Sequence, residues 1–397
     1  MSVAIFFLVL SSILFVAGMV VTFWIHGQYG LEKVPEQTNL TGFGESLPLI
    51  SVIIPARNEA RNIRRCVESL LVQTYPNYEI IVVNDRSTDA TGQILEEIEQ
   101  AGRGATNSQA ASLRVLQGEE LPDGWAGKPH VLVQGAEAAN GEWLCFIDAD
   151  TFAGPQLLSA AFETAMAKNV DLFTILTAQE LGTFWEKVIL PLVFTALSVG
   201  FPAERVNDPD EPDAIANGQF ILVRRDAYTA VGGHQAVYNQ IAEDKALADV
   251  FKRKGYRLFV ADGRDLASTR MYTSLAEIWE GWTKNIFLGM QDRLGLLLFG
   301  AVVRLIAALL LPVWLAGGIA WAVQVGGWLS KVVAIESVIL WVTLLWVRGR
   351  ASKAFAISPL YAFTLPLGAF VFSAMMIVST YRVVSGQGVT WKGRTYA

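Results

Sequence analysis

The sequence predicts an α/β domain with a mainly parallel sheet, joined to a membrane by one N-terminal and about three C-terminal transmembrane helices plus interfacial helices. Three observations lead there. Val3 to Ile25 runs for 23 residues without a charge, enough as a helix to cross a hydrocarbon core of roughly 30 Å. Three further apolar stretches lie toward the other end: Leu305 to Val325, Val332 to Val347 with Glu336 inside it, and Ala354 to Tyr381. Between these regions, short apolar runs alternate with amphipathic segments, the order of strands and helices around a parallel sheet.

Composition agrees. The chain has 397 residues, of which 52% are hydrophobic, and its mean hydropathy is +0.37, too apolar for an ordinary soluble protein. Only Met1 and Ser2 precede the first apolar run, so the basic region of a cleaved signal is missing and an anchor over residues 1–26 is expected. The net charge of −6 offers no basic field, and nucleic acid is not an expected partner. Cys66 and Cys145 lack paired spacing and read as reduced core residues of a cytosol-facing domain, and the scattered His26, His130 and His234 indicate no zinc site.

Taken in order, residues 27–47 carry Gly, Pro and polar residues without periodicity and read as a linker. The domain follows, over 48–272. "LISVIIPA" (Leu49 to Ala56) is the continuous apolar run of a strand covered on both faces, followed by the polar turn "RNEARN" and an amphipathic segment to Gln73. The pattern repeats with a strand Glu79 to Val83, a loop Asn84 to Asp89 and a helix presenting Ile94, Leu95 and Ile98. A third strand, Ser112 to Gly118, a helix ending near Gly141 and a fourth strand, "EWLCFIDAD", complete the series. Beyond Thr151 the pattern loosens. Phe184 to Phe201, at the lower length limit for a span and containing Glu186 and Lys187, reads as an interfacial or membrane-docked helix, and so does 273–294 with Trp279, Trp282 and Phe287. Residues 295–383 form the transmembrane region and 384–397 a tail.

In open α/β sheets ligands bind beyond the carboxyl ends of the strands. There the sequence places Glu59, Asp85, Asp89, Asp148 and Asp150. Such carboxylates repel unless a cation or a hydrogen-bonding ligand sits among them. Two hard oxygen ligands on one turn, Asp148 and Asp150, suit Mg²⁺ or Mn²⁺ completed by phosphate oxygens and water. Taken alone, Asp-x-Asp arises often by chance, and aspartates commonly close strands as turn formers.

The motifs "SVIIPARNEARNI", "SLLVQTYPNYEIIVVNDRSTDAT", "GKPHVLVQGAEAANGEWLCFIDADT", "NGQFILVRRDAY" and "IAEDKALADVFKRKGYRL" follow in order over roughly residues 50–262. In them the chain resembles the inverting nucleotide-sugar glycosyltransferases of family 2, with their Rossmann-like nucleotide-diphospho-sugar transferase, or GT-A, fold. The membrane arrangement and the C-terminal "GVTWKGRTY" look most like the hopene-associated and carotenoid-type lipid glycosyltransferases within that family, the source of a hopanoid expectation.

That resemblance implies roles. Pro55, Ala56 and Glu59 would line the uridine pocket, and Asp85 would accept from the uracil N–H. Lys128 would approach the diphosphate, although on charge alone an exposed loop lysine is as good a reading. Asp148 would contact ribose or metal and Asp150 the metal. Glu243 and Asp244 match the family's E-D pair, with Asp244 the base for the acceptor hydroxyl; the bland reading is an acidic first helical turn. Processive members carry Q/R-x-x-R-W, whereas the corresponding "EIWEGWTKN" has Trp282 but no arginine before it. Trp282 would stack under an acceptor and Arg270 and Lys284 would meet the diphosphate, against a reading as aromatic belt and snorkelling cations.

The sequence thus points to a multi-pass protein of the inner (cytoplasmic) membrane, its catalytic domain facing the cytosol. It would move one sugar from a UDP-sugar to a lipid acceptor with Mg²⁺ or Mn²⁺. A processive polysaccharide synthase and a non-catalytic nucleotide-sugar sensor are the alternatives.

Overall fold

The structure is a computed structural model that describes residues 5–6, 8–13, 15–16, 18–19, 30–43, 46–103, 112–289, 294–385, 387, 389–391 and 394–396. The strands are β1 (Ile50–Ala56), β2 (Tyr78–Asn84), β3 (Ser112–Gln117), β4 (Trp143–Phe146), β5 (Thr151–Ala153), β6 (Leu172–Leu176), β7 (Ala178–Gln179), β8 (Ile221–Arg224), β9 (Leu258–Asp262), β10 (Ala267–Thr269), β11 (Val389–Trp391) and β12 (Arg394–Tyr396). The α-helices are α1 (Ile63–Leu70), α2 (Thr91–Arg103), α3 (Gly127–Ala138), α4 (Leu157–Lys168), α5 (Phe184–Gly200), α6 (Ala203–Asn207), α7 (Arg225–Val231), α8 (Glu243–Arg253), α9 (Leu275–Gly289), α10 (Leu294–Val325), α11 (Trp328–Ala354) and α12 (Leu365–Ser385). They form two compact units: an α/β unit of Gly30–Glu180 with Phe201–Met271, and a helical unit of Met1–Tyr29, Leu181–Gly200 and Tyr272–Ala397.

The α/β unit is built on a seven-stranded sheet of order β3-β2-β1-β4-β8-β6-β9. The apolar runs of β1 and β2 are covered on both faces, as their continuity predicts. Ile50, Val52, Ile54, Ile80 and Val82 enter one core, and Ile53, Ile81 and Val83 enter the other, the alternation a pleated strand imposes. Pairings are parallel except that β8 runs antiparallel to β4 and β6. A second sheet of order β5-β10-β7 flanks it.

The strand expected over Glu142 to Asp150 is shorter, because β4 ends at Phe146. Ile147 N–H still reaches the Ile53 carbonyl at 3.0 Å, then Thr151 N–H closes a turn on the Asp148 carbonyl at 3.0 Å and the chain passes into the second sheet. The two acids therefore sit on a turn between sheets. Residues 30–43, read from sequence as linker, pack on this unit: Val34 is buried with its N–H on the Asp262 carbonyl, and Phe43 lies edge-on to Phe162.

In the helical unit, α11 and the stretch Pro359–Arg382 are long and apolar enough to cross a membrane. The third expected C-terminal span starts late, since α11 runs on to Ala354 and a 3₁₀ turn over Pro359–Thr364 precedes α12. Helix α5 begins with a capping box in which Glu186 accepts from Thr183 N–H and Thr183 Oγ1 accepts from Glu186 N–H. Arg348 Nη2 of α11 donates to the carbonyls of Lys187 and Val188 in α5, each at 3.3 Å. Of the expected N-terminal anchor, residues 1–4, 7, 14, 17 and 20–29 lie outside the described residues, and the remainder through 19 is helical. Its Ser11 and Ser12 hydroxyls donate to the two carboxylate oxygens of Glu336 in α11 at 2.6 and 2.7 Å, and Gly18 lies so close to Leu340 that a Cβ there would be 2.8 Å from Cδ1. The side chain of Phe287 and residues 392–393 of the tail lie outside the described residues; β11 packs against α9.

Candidate active site

The site begins with two laced loops after β1 and β2. Asn58 N–H donates to Ser87 Oγ (3.0 Å), Thr88 N–H to Asn58 Oδ1 (2.8 Å), Glu59 N–H to Thr91 Oγ1 (2.8 Å) and Ala60 N–H to Asp89 Oδ2 (3.1 Å). Asp89 also accepts from the backbone and hydroxyl of Thr91 at 3.0 and 2.5 Å. Its carboxylate is thereby a brace between the loops, which removes it from the acids the sequence gathered at this edge.

Asp85 stays a candidate. It is buried, its N–H sits on the Ala56 carbonyl at 2.7 Å, and Arg57 Nη1 donates to its carbonyl at 2.8 Å while lying 3.7 Å from its carboxylate. Ala56 is itself buried, so its part in a pocket is to fix Asp85 through backbone.

The densest chemistry lies between the turn after β4 and the first turns of α3 and α8. Lys128, on the first turn of α3, places Nζ 2.5 Å from Asp148 Oδ1 and 2.7 Å from Glu243 Oε1. Asp244 Oδ2 accepts from Gly218 N–H at 2.9 Å, and its Oδ1 accepts from Lys245 N–H at 2.7 Å. Gly218 is the pivot. A Cβ there would stand 2.9 Å from Lys128 Nζ, 3.1 Å from Asp244 Oδ2 and 3.4 Å from Asp148 Oδ2. A side chain there would have to displace the lysine tip from this meeting point.

Electrostatics follow from this packing. Burial pushes the Glu243 carboxyl up to about 7, with Lys128 opposing and Asp244 and Asp148 adding to the rise. Burial also raises Asp148, tempered by Lys128. Burial alone would lower the Lys128 ammonium, but Asp148, Glu243 and Asp244 together hold it well above its usual value. Beneath the turn, the Cys66 thiol, 3.7 Å from the Asp148 carbonyl, is kept protonated by burial and by the charges of Asp150, Asp148 and Glu59.

Arg270 follows the antiparallel pair Thr269–Thr151, so register sets it alongside Asp150. Trp282 and Lys284 are on α9 of the helical unit, where Trp282 is 6% exposed and its ring meets Phe194 edge-on at 6.0 Å. The structure therefore brings Lys128, Asp148, Glu243 and Asp244 into one cluster with Pro55 at its wall. Glu59, Asp150 and Asp85 stand on the adjoining loops. Sequence reasoning missed Gly218, Arg57 and His234, the last of which lines the same cleft; the glycines of "NGQF" and "VGGH" were the available signals.

An ammonium among carboxylates, next to buried backbone donors, can hold an anionic phosphate chain and order an acid–base pair. Among the described residues no group of three or more His, Cys, Asp or Glu is arranged as a complete metal site. Asp148 and Asp150 give two hard oxygen donors on one turn, which fits a cation that draws its other ligands from phosphate and water.

Residues 51–232 match the glycosyl transferase family 2 description. Among curated proteins, the 4,4'-diaponeurosporenoate glycosyltransferases of Staphylococcus aureus strains MRSA252 and USA300 are 28% and 29% identical over 276 and 280 residues, each alignment covering 68% of this chain and 67% of the relative. Among solved structures, a mannosyltransferase from Pyrobaculum calidifontis in complex with GDP-Man and Mn²⁺ superposes with a TM-score of 0.52 at 16% identity, covering 96% of this chain and 99% of that one. With the mixed seven-stranded sheet and the acid turn at its edge, these likenesses lead to one conclusion: over residues 51–232 the chain carries a glycosyl transferase family 2 domain of the GT-A type, and it is a glycosyltransferase.

Proposed function

We propose that the chain is a membrane-bound inverting glycosyltransferase that moves one sugar from a UDP-sugar to the hydroxyl or phosphate of a lipid acceptor. The observation that carries this reading is the cluster of Lys128, Asp148, Glu243 and Asp244 around Gly218.

In this reading Asp85 receives the imide N–H of the base, Lys128 and Arg270 meet the diphosphate, and Asp148 and Asp150 hold Mg²⁺ or Mn²⁺. When bound, that cation neutralises charge on the departing diphosphate. Asp244 accepts the proton of the incoming hydroxyl. Its two bonds from backbone N–H groups orient the carboxylate and leave each oxygen a lone pair for that proton. Glu243 keeps Lys128 in place from the side opposite Asp148.

Two features favour a lipid acceptor: the apolar helices α11 and Pro359–Arg382, and relatives named as glycosyltransferases of 4,4'-diaponeurosporenoate. The same helices motivate a multi-pass placement in the cytoplasmic membrane with α5 and α9 as interfacial helices, and the basic residues Arg350 and Lys353 at the end of α11 suit its cytosolic face. The test is UDP release by purified protein given UDP-sugars, Mn²⁺ and host lipid extract, with a sugar-bearing lipid identified by mass. Asp244→Asn should abolish release while donor binding persists; an active Asp244→Asn refutes the base.

A further inference from the structure

One polar group of the cleft has no part in the scheme above. The cleft that opens beside the cluster is lined by Pro55, Lys128, Asp148, Gly218 and Glu243 and also by His234.

The chain is built to deliver His234 to this wall. Gly232 and Gly233 are both left-handed, with φ of +90° and +51°, a conformation that costs a side-chain-bearing residue. A Cβ on Gly233 would fall 2.4 Å from Tyr228 Cζ, so the second glycine also makes room for the phenol. Tyr228 Oη then accepts the backbone N–H of His234 at 3.0 Å and lies 2.9 Å from His234 Nδ1. The phenol has one proton, and Nδ1 is the acceptor within reach. Placing the proton there leaves Nε2 as the protonated ring nitrogen. The ring is further fixed edge-on to Phe146, with centroids 4.7 Å apart and planes at 81°.

We propose that His234 Nε2–H is a donor to a hydroxyl of the transferred sugar, and that Tyr228 is the positioning residue that holds the imidazole in this tautomer. The proposal rests on the donor-site reading given above. The imidazole suits a polyol better than a phosphate because it is uncharged: burial and the nearby Lys128 ammonium push its pKa down to about 3. Lys128 supplies the positive charge that the diphosphate needs, and the apolar floor of Leu132, Phe146 and Ile221 gives a sugar face something to lie on.

The test compares UDP with intact donors, UDP-glucose, UDP-galactose and GDP-mannose, by calorimetric titration in the presence of Mn²⁺. His234→Phe should keep the affinity for UDP within about twofold and weaken the intact donor that the wild type binds by roughly 5–20-fold as a lost hydrogen bond would. His234→Gln, which retains an N–H at similar reach, should recover most of the loss. In ¹⁵N spectra the wild-type ring should show a single neutral tautomer that Tyr228→Phe mixes. Equal losses for UDP and donor, no loss for either, or no rescue by glutamine would each overturn the sugar contact. Wild-type protein that binds UDP and no nucleotide sugar would also overturn it, and wild type that binds neither would overturn the donor site beneath it.

Discussion

Gly218→Ala isolates the central geometry with one methyl group. The new Cβ would lie 2.9 Å from Lys128 Nζ and 3.1 Å from Asp244 Oδ2, inside the roughly 3.5–4.0 Å at which non-bonded heavy atoms rest. The lysine tip is the softer neighbour, because Asp244 is tied by two backbone N–H bonds. Moving Nζ by about 0.6 Å or more to restore contact distance stretches its 2.5 and 2.7 Å bonds to Asp148 and Glu243 toward or past the limit of a good hydrogen bond. A charge-assisted bond contributes about 1.5–3 kcal/mol, or roughly 10–150-fold. Lys128 keeps 33% of its side chain exposed, and solvent screening pulls the figure to the lower half of that range. We therefore expect kcat/KM for the donor to fall about 10–50-fold. Stability should change little, since Gly218 is not in the left-handed region and a compatible Gly→Ala reduces unfolded-chain entropy by about 0.4–1 kcal/mol. UDP release against donor concentration, with thermal melts alongside, measures both. An alanine variant with wild-type kcat/KM refutes the claim that the ammonium must approach Gly218.

Other outcomes follow from the same site. Asp244→Asn should lower kcat by roughly 10²–10⁴ with donor affinity within a few-fold of wild type, read by initial rates and titration. Chelation should suppress turnover and Mn²⁺ restore it, and Asp150→Ala should raise the Mn²⁺ concentration needed for half-maximal rate. Glu243, raised from the usual 4.5 to about 7, binds its proton more tightly folded than unfolded. Its contribution is then fully present below about pH 4.5 and lost as pH rises through about 7, so Glu243→Gln should flatten the decline of melting temperature across that window. In the helical unit, Glu336→Leu should weaken docking of the N-terminal helix by about 1 kcal/mol, seen as reduced cross-linking between cysteines placed at positions 15 and 340 in detergent or membranes.

Sequence periodicity was enough for β1, β2 and β3 because each is an uninterrupted apolar or alternating run, and for α8 because its acidic start and basic end frame it. It was silent on α4, whose Leu157, Leu158, Ala160, Ala161, Phe162 and Ala165 are all buried; a helix apolar on most sides has no stripe to read. The antiparallel direction of β8 is a property of the chain's path that no local pattern records. At the site, motif order pointed to Lys128, Asp148, Glu243 and Asp244, which the structure gathers around Gly218, but it said nothing of their contacts. Asp89 and Asp148 are the same residue type on similar loops, and only the bonds to Thr91 and Ala60 mark Asp89 as a brace. The parts proposed for Gly218 and His234 rest on an absent side chain and a tautomer, neither of which is visible in a residue pattern.

The Glu336 contacts carry a count with them. Ser11 and Ser12 meet Glu336, and Gly18 meets Leu340, so residue numbers climb together along both helices and the pair is parallel. Two parallel helices that each traverse a bilayer demand an odd number of traversals in the chain between them. In the proposed multi-pass reading α10 would supply one, and α5 and α9, at 17 and 15 residues, are short for the task. The parity would close without them, and the proposed topology would then put the carboxyl-terminal sides of the N-terminal helix and of α11 on a common face of the membrane.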